Sequence, residues 1–495
     1  MPSQIRSVLL IACWAGTALR TSALFANRFH ADEALFAGWA RLIAVWRDPL
    51  LLSQAVDKPP LLFYLQAFAY PLLGPVEWAA RLPNFVASLM LIPLTGMLAW
   101  RVFRDSMAAV TAASLTAVAP LAIQFSATAF SDPLLTFWLV AALFFAARPV
   151  KIVAKRELDQ PFWAGCFFGL ALATKYQAML FLPLILGFAW LNHWRGREWR
   201  WALAGLLMAI VPFGLWMIAR ADADGLVGLQ WANIGGLRLA WSWELWPRLV
   251  AQARLWELAL GRPLTLAIAL MAFALIMTSR SWSRKVSPYD GLLALFVTAY
   301  ILLHWLWAVP VWDRYLLPIL PLVAILIGRG ISWLLGAERQ KDPARRSNVL
   351  MQIGTLALIL LLGLSHLPTA AAARDGRFSI GGRPSADGGA ADVARLLADA
   401  PYGTVLYDHW YSWHWRYQLF DKRVYISWFP HADALLADLA VFGESDTPRF
   451  IALPVSDVAK PVLRRLAEAG YRLTAIGQPD PAAEMRFYHI ERREE

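Results

Sequence analysis

Long apolar runs separated by short polar connections dominate the chain up to residue 367. Most of these runs have the roughly 17–25 residues that an α-helix needs to cross the hydrocarbon core of a bilayer. The pattern predicts a mainly α-helical, polytopic transmembrane bundle of about 11 spans. The predicted spans are residues 7–26, 83–100, 108–125, 132–147, 161–175, 177–193, 201–219, 262–279, 290–309, 315–335 and 349–367.

Two connections between these runs are long and carry amphipathic or aromatic patterns. Residues 27–82 include amphipathic stretches at about 32–46 and at 61–73, and the second has only 13 residues, which favours an interfacial or re-entrant helix. Residues 220–261 are rich in tryptophan, which is typical of an interfacial belt, with a sugar-stacking platform as the alternative. The tryptophans are Trp231, Trp241, Trp243, Trp246 and Trp256.

The distribution of Lys and Arg predicts the orientation of the bundle. If the N-terminus is cytoplasmic, the cytoplasmic segments hold 17 lysines and arginines. The opposite short connections, residues 126–131, 176 and 310–314, hold only Arg314, with Lys175 at the edge of its span. Since cytoplasmic loops carry the excess of positive charge, this bias places residues 27–82, 220–261 and the C-terminal tail outside.

The composition of the chain changes after residue 374. A Gly-rich linker, DGRFSIGGRPSADGGA, leads into alternating strand-like and helix-like segments. We expect two domains: a transmembrane domain, residues 1–374, which includes the external loop 27–82, and a small soluble external α/β domain, residues 375–495. The predicted strands are GTVLYD, RVYIS, RFIALPV, YRLTAI and MRFYHIE, and the predicted helices lie near 390–399, 431–440 and 456–469.

Composition supports a membrane protein over the soluble classes. Of the 495 residues, 59% are hydrophobic and 16% are charged, and the mean hydropathy is +0.47. These values disfavour a soluble enzyme, a nucleic-acid module and a disordered scaffold. The net charge of +11 is explained by the orientation bias rather than by a nucleic-acid partner. Cys13 and Cys166 lie in apolar runs and imply no disulfide framework.

Charged residues cluster at the predicted external ends of the spans, where charge inside or beside a membrane indicates a functional site. They occur in HADEALFAGWARL, DKPPLLFYL, EWAARLPN, FSDPLLTFW, GLALATKYQ and VWDRYLLPILP. The candidate site residues in these segments are Asp32, Glu33, Asp57, Lys58, Arg81, Asp132, Lys175, Arg314 and Tyr315, with His409 of the C-terminal domain added.

Each candidate also has a purely structural interpretation. Asp32 is a candidate N-cap with Glu33 in the first helical turn, and Asp132 before Pro133 is a candidate helix start. Lys58 and Lys175 are candidate interface cations that reach headgroups. Arg81 and Arg314 have acidic neighbours, Glu77 and Asp313, with which to pair. His409 and His414 are either satisfied polar residues of a domain interface or a cover over the active site.

In their order along residues 1–335, these motifs resemble the polytopic glycosyltransferases of the GT-C class. The similarity is to the branch that contains protein O-mannosyltransferases and bacterial aminoarabinose transferases. The resemblance implies an integral-membrane enzyme that moves a sugar from a polyprenyl-phosphate donor to a lipid, glycan or protein acceptor on the external face. It maps a catalytic or acceptor-positioning carboxylate to Asp32, the donor-phosphate lysine to Lys58, and the Asp that opens the fourth span to Asp132. The short α/β tail replaces the β-trefoil module of the eukaryotic protein mannosyltransferases, so a protein acceptor in particular gains little support.

The expected chemistry divides the candidates by role. Asp32, Glu33 and Asp132 are the catalytic candidates, with Asp32 as the base or the carboxylate that positions the acceptor hydroxyl, and Asp132 assisting. Lys58, Arg81, Arg314 and Lys175 are the candidates for stabilising the donor phosphate, and in-line attack inverts the anomeric centre. Asp57, Tyr315 and His409 are substrate-binding candidates. A divalent metal is an option but not a requirement, because no spacing resembles a strong metal motif. A lipid-linked sugar flippase or transporter is the alternative function, and a plasma or inner membrane is the expected location.

Overall fold

A computed structural model describes residues 1–147, 159–221, 238–261, 287–336, 364, 366–378, 382–442, 447–477 and 484–492. The chain divides into two compact units. The first is Met1–Ala26 with Leu42–Ile380, and the second is Asn27–Arg41 with Gly381–Glu495. The predicted span 262–279, most of span 349–367, and Trp231 lie outside the described residues.

Helices form nearly all of the described first unit, and their positions follow the apolar runs. Helix α2 begins in the second unit and ends in the first. The helices are α1 Ser3–Ala26, α2 Ala31–Ala44, α3 Leu61–Leu73, α4 Glu77–Phe103, α5 Ser106–Val118, α6 Pro120–Ser126, α7 Asp132–Ala146, α8 Asp159–Thr174, α9 Leu182–Leu191, α10 Gly196–Ala219, α11 Ser242–Leu260, α12 Pro288–Leu306 and α13 Leu320–Gly336. Short 3₁₀ segments, Tyr176–Phe181 and Asp313–Ile319, precede α9 and α13.

Five of the described helical segments are long and apolar enough to cross a membrane, and α5 with α6, bent by 55°, makes a sixth if the pair is one span. The five are Ile5–Ala26, Glu77–Phe103, Gly196–Ala219, Pro288–Leu306 and Asp313–Trp333. The predicted polytopic helical architecture is confirmed, whereas the count of 11 remains a prediction. Helix α3 has the 13 residues expected of the short run, and one of its sides is buried while Phe68 and Leu72 are exposed.

Helices α8 and α10 approach each other unusually closely because both carry glycine at the contact. A Cβ atom added at Gly165 would overlap the carbonyl oxygen of Ala202, and one added at Gly205 would overlap that of Phe162. Small residues allow this backbone approach, which is a common way to pack helices in membranes. The contact joins the two helices that lead into and out of the Lys175–Leu191 region.

The described part of the second unit contains a small three-layer α/β domain. Its sheet has the order β2-β1-β3-β5-β4, in which β1 pairs parallel with β2 and β3, and β5 pairs antiparallel with β3 and β4. The elements are α14 Ala390–Leu396, β1 Val405–Asp408, α15 Ser412–Gln418, β2 Tyr425–Trp428, α16 Ala432–Phe442, β3 Arg449–Pro454, α17 Lys460–Glu468, β4 Tyr471–Ala475 and β5 Met485–Arg492.

Alternating side chains of the strands build a core on each face of this sheet. Val405 and Tyr407 of β1 pack on one face with α16 and α17, and Leu406 packs on the other face with α14 and Trp415 of α15. All five predicted strands and the three predicted helical regions are present. Helix α15 was not predicted. The predicted division at residue 374 stays a prediction, while the structure groups Asn27–Arg41 with the C-terminal residues.

Candidate active site

A buried ion pair links two helix ends in the first unit. Asp132 opens α7, directly before Pro133, and Lys175 lies in the one-residue break between α8 and the 3₁₀ segment Tyr176–Phe181. The Lys175 Nζ lies 2.5 Å from the Asp132 Oδ1, and the two side chains are 13% and 2% exposed. A charge pair withdrawn this far from water is costly unless its geometry is good, so it marks a candidate functional site rather than a simple helix cap.

Further cations and an aromatic ring surround this pair. The Lys175 Nζ lies 4.8 Å from the centre of the Tyr315 ring. Lys175 also interacts electrostatically with Arg314 and Lys58, both of which disfavour its positive charge. Three cations grouped in this way suit an anion such as a phosphate.

Arg314 and Lys58 each have a defined local environment within this cluster. The Arg314 guanidinium lies 4.8 Å from the centre of the Phe130 ring and 5.2 Å from that of Trp312. Lys58 pairs with Asp57, with 2.6 Å between the Nζ and the carboxylate, and both side chains are mostly buried. Asp57 in turn interacts electrostatically with Tyr176, next to Lys175.

Arg81 is fully buried in the first turns of α4. Its guanidinium lies 3.8 Å from the Glu77 carboxylate, so the pairing offered as its structural interpretation is present. Asp132 likewise opens its helix, as its structural interpretation predicted. Neither arrangement conflicts with a functional role.

Three polar residues that the sequence analysis did not select hold this region in place. The Asn84 amide donates hydrogen bonds to the carbonyl oxygens of Thr128, at 2.7 Å, and Phe130, at 2.5 Å, and so fixes the loop before Asp132. The Tyr300 hydroxyl donates to the Tyr315 carbonyl oxygen at 2.7 Å and accepts from the Gln177 amide. Asn84 and Gln177 end the segments EWAARLPN and GLALATKYQ but carry no charge, and Tyr300 lies in none of the quoted segments, so only the structure reveals these roles.

Asp32 and Glu33 lie in the second unit, in the first turn of α2. The helix begins at Ala31, so the interpretation of Asp32 as the N-cap is wrong, and His30 occupies that position. The Glu33 carboxylate accepts the His30 backbone N–H at 2.9 Å, and the Asp32 backbone N–H donates to the His30 Nδ1 at 3.2 Å. Glu33 is fully buried, whereas Asp32 is partly exposed. The convergence of Asp32 with the first-unit cations remains a prediction.

His409 follows β1 in the second unit and is engaged within it. Its Nδ1 lies 2.8 Å from the Phe429 carbonyl oxygen, and its ring is parallel to that of Trp428 with centroids 6.3 Å apart. His409 is thus a satisfied polar residue within its own unit, while its place at a domain interface and its role in substrate binding remain predictions. Within the described residues, no three His, Cys, Asp or Glu side chains are grouped so that they could hold a metal ion.

Comparisons with known proteins agree with this architecture. A family model described as dolichyl-phosphate-mannose-protein mannosyltransferase matches residues 57–217, which carry Lys58, Asp132 and Lys175. Two relatives are each named undecaprenyl phosphate-alpha-4-amino-4-deoxy-L-arabinose arabinosyl transferase. The one from Pseudomonas paraeruginosa is 26% identical over 68% of this chain and 61% of its own length, so the chain spans less than two thirds of that relative. The one from Erwinia tasmaniensis is 25% identical over 75% of this chain and 68% of its own length.

Solved structures show the same fold over nearly the whole chain. ArnT from Cupriavidus metallidurans in the apo state matches with a TM-score of 0.67 at 16% identity, covering 98% of both chains. The same protein bound to undecaprenyl phosphate matches with a TM-score of 0.64 over 98% of this chain and 97% of that one. The Archaeoglobus fulgidus oligosaccharyltransferase matches with a TM-score of 0.55 at 15% identity, over 91% of this chain and 69% of that one.

The chain is thus a multi-pass membrane protein with the fold of the GT-C polytopic glycosyltransferases. The family model, the relatives and the solved structures support the aminoarabinose transferase-like branch of that class, so the resemblance drawn from the motifs is confirmed.

Proposed function

We propose that this chain is an integral-membrane glycosyltransferase that takes a sugar from a polyprenyl-phosphate donor and transfers it to a lipid acceptor at the external face of a bacterial inner membrane. The observation that carries the proposal is the buried Asp132–Lys175 pair with Arg314 and Lys58 around it. Its support from relatives is the arabinosyl transferase name they carry and the undecaprenyl phosphate bound to one ArnT structure.

The cationic cluster is suited to the leaving phosphate. As the bond between the sugar and the phosphate breaks, negative charge accumulates on the phosphate oxygens, and fixed cations stabilise it without a general acid. We assign this contact to Lys58, Lys175 and Arg314, with Arg81 adding its charge from a fully buried position. Asp57 and Asp132 hold the two lysines in place through their ion pairs, at 2.6 Å and 2.5 Å. The Tyr315 ring lies beside Lys175, with its centre 4.8 Å from the Nζ.

The acceptor hydroxyl needs a base, and Asp32 is the partly exposed member of the acidic pair, whereas Glu33 is buried. In the proposed step the acceptor oxygen forms a bond to the anomeric carbon, the bond from that carbon to the phosphate oxygen breaks, and the hydroxyl proton passes to Asp32. Attack opposite the leaving phosphate inverts the anomeric centre. Glu33 is committed to capping α2, so we assign it the role of holding the turn that carries Asp32.

The test is transfer by purified protein in lipid nanodiscs, with a polyprenyl-phosphate sugar labelled in the sugar and a mixture of lipid acceptors. A covalent labelled product supports the proposal. In proteoliposomes, movement of intact donor across the bilayer without product would instead support the flippase alternative. The absence of both product and movement would refute both functions.

Two substitutions test the assigned roles. Asp32→Asn and Lys58→Met should each lower the transfer rate by about 100-fold or more, because a general base and a phosphate-stabilising cation are removed. Matched controls are Asp392→Asn, in the first turn of α14 and 65% exposed, and Lys460→Met, which has its own Asp457 partner at 2.9 Å. Full activity in Asp32→Asn or Lys58→Met removes that residue from the mechanism.

A further inference from the structure

The segment that carries Asp32 folds with the C-terminal α/β domain, although more than 300 residues separate them in sequence. Residues Asn27–Arg41 and Gly381–Glu495 form one compact unit. The segment contacts the C-terminal residues at both of its ends, before the first turn of α2 and near its last turn.

Before the first turn, hydrogen bonds fix the backbone that leads into α2. The Arg28 backbone N–H donates to the Arg383 carbonyl oxygen at 3.0 Å, and the Asn27 amide donates to the carbonyl oxygen of Gly382. The His414 Nε2, on α15, lies 3.1 Å from the Phe29 carbonyl oxygen. Because a carbonyl oxygen only accepts, the Nε2 of His414 carries the proton and donates it.

Near the last turn of α2, Arg41 fixes the other end to the same region of the C-terminal domain. Its guanidinium donates to the Tyr417 carbonyl oxygen at 2.7 Å and forms an ion pair with Asp421. It also lies over the Phe420 ring, 4.4 Å from the centre. The Phe29 and Tyr417 rings pack edge to face with centroids 4.9 Å apart, so α15 and the residues directly after it contact both ends of the segment.

Between these two attachments, the first turn of α2 has little freedom. His30 caps it with its ring Nδ1, and the buried Glu33 closes the turn on the His30 backbone. Asp32 is the partly exposed acid of this turn. The backbone just before this turn is held by the contact of α15 with the Phe29 carbonyl oxygen.

We propose that α15 is the positioning element for Asp32, acting through the His414 hydrogen bond to Phe29 and the Arg41 attachment to Tyr417 and Asp421. The inference rests on the proposed function, since it assigns the C-terminal domain a role in the same transfer reaction. His414 is a positioning residue and does not touch the substrate. Displacing a catalytic group by about 1 Å can lower a rate about 100-fold, so loss of this hydrogen bond is expected to be measurable.

The experiment compares three histidine variants of the full-length protein in nanodiscs. His414→Ala removes the donor, and His414→Gln keeps an N–H that can reach a carbonyl oxygen. His431→Ala is the matched control, because His431 is an exposed histidine of the same unit whose Nδ1 accepts the Ala434 N–H at 3.2 Å in the cap of α16. The readouts are kcat and KM for the polyprenyl-phosphate sugar, together with amide hydrogen exchange of residues 30–34.

We expect His414→Ala to lower kcat by about 10- to 100-fold while KM for the donor changes by less than about twofold, since the phosphate-binding residues lie in the other unit. His414→Gln should recover most of the rate, and His431→Ala should match the wild type. The amides of residues 30–34 should exchange faster in His414→Ala alone.

Other outcomes would contradict either the positioning role of α15 or the proposed function. A wild-type kcat in His414→Ala, an equal loss in His414→Gln, or unchanged exchange of residues 30–34 overturns the positioning role. If the wild-type protein transfers no sugar, the proposed function is wrong, and the exchange measurement then decides by itself whether α15 fixes the turn.

Discussion

At the scale of single residues, the sequence revealed the charges but not the polar groups that hold them. Asp132, Lys175 and Lys58 are conspicuous because charge is rare beside apolar runs. Their pairings became visible only in the structure, as did the anchoring of their loops by Asn84 and Tyr300. A lone Asn or Tyr in a helix has no sequence signature that separates an anchoring role from ordinary packing.

The Asp132–Lys175 pair predicts a characteristic double-mutant result. Lys175→Met alone leaves a buried carboxylate without its ion-pair partner and should destabilise the protein by about 3 kcal/mol or more, because an uncompensated buried charge is costly. Asp132→Leu combined with Lys175→Met should recover most of that stability but not sugar transfer. Unfolding in mixed micelles and the transfer assay measure the two effects. Equal stability of Lys175→Met and the wild type would contradict the pair's structural importance.

His414 predicts a pH dependence of stability. Burial lowers the pKa of His414 from its usual value, with His30 lowering it further, while the Phe29 hydrogen bond, Asp387 and Glu33 oppose the shift. The unfolded chain therefore binds a proton more readily, so the stabilisation is fully present above about pH 6.5 and declines as the pH falls below that value. We expect His414→Gln to lose less thermal stability than the wild type between about pH 7.5 and about pH 5.5. If the melting temperatures of the two proteins fell in parallel over this pH range, the proposed titration of His414 would be contradicted.

At the scale of elements, the apolar runs and the alternating strands were predicted well because burial imposes a regular period on each. Helix α15 was missed because its aromatic residues, Trp413, Trp415 and Tyr417, alternate with polar ones and so follow the period of a strand. It is fixed instead by tertiary contacts: the buried Asp408 carboxylate accepts the Tyr411 backbone N–H at 2.8 Å and the Trp415 indole N–H at 3.0 Å. Helices α5 and α6, which meet at a bend of 55°, were likewise predicted as a single span, residues 108–125.

The close contact of α8 and α10 predicts opposite effects of the same substitution at two glycines of α10. Gly205→Ala should destabilise the protein, because the new methyl group overlaps the Phe162 carbonyl oxygen and the helices must move apart. Gly214→Ala should be neutral or stabilising by up to about 1 kcal/mol. A Cβ atom added at Gly214 would meet no atom of another helix within 4 Å, and alanine is the better helix former. Thermal unfolding of the two variants in detergent is the measurement. Similar stabilities would argue against the tight α8–α10 packing.

At the scale of the whole molecule, the class of fold followed from the sequence, and the grouping of its parts did not. The acidic turn of α2 was assigned to the transmembrane part because it follows the first span, yet it packs with residues hundreds of positions later. Contacts between distant segments depend on the arrangement of complete elements, which local patterns do not encode.

The orientation of the bundle gives a prediction at this scale. With both native cysteines replaced, Ser53→Cys should react with a membrane-impermeant maleimide in intact cells, whereas Arg104→Cys should react only after permeabilisation. The reason is that Arg104 directly follows α4 on the side that carries the positive-charge excess. The reverse pattern of labelling would place the N-terminus and Lys58 on the opposite sides of the membrane from those predicted here.

The most direct test of the central claim is a structure of the full-length protein with a non-transferable polyprenyl-phosphonate sugar bound. We predict that the phosphonate lies within hydrogen-bonding distance of Lys58, Lys175 and Arg314, and that the Asp32 carboxylate faces the anomeric carbon from the side opposite the leaving group. A phosphonate bound away from these cations, or an Asp32 turned away from the sugar, would contradict it.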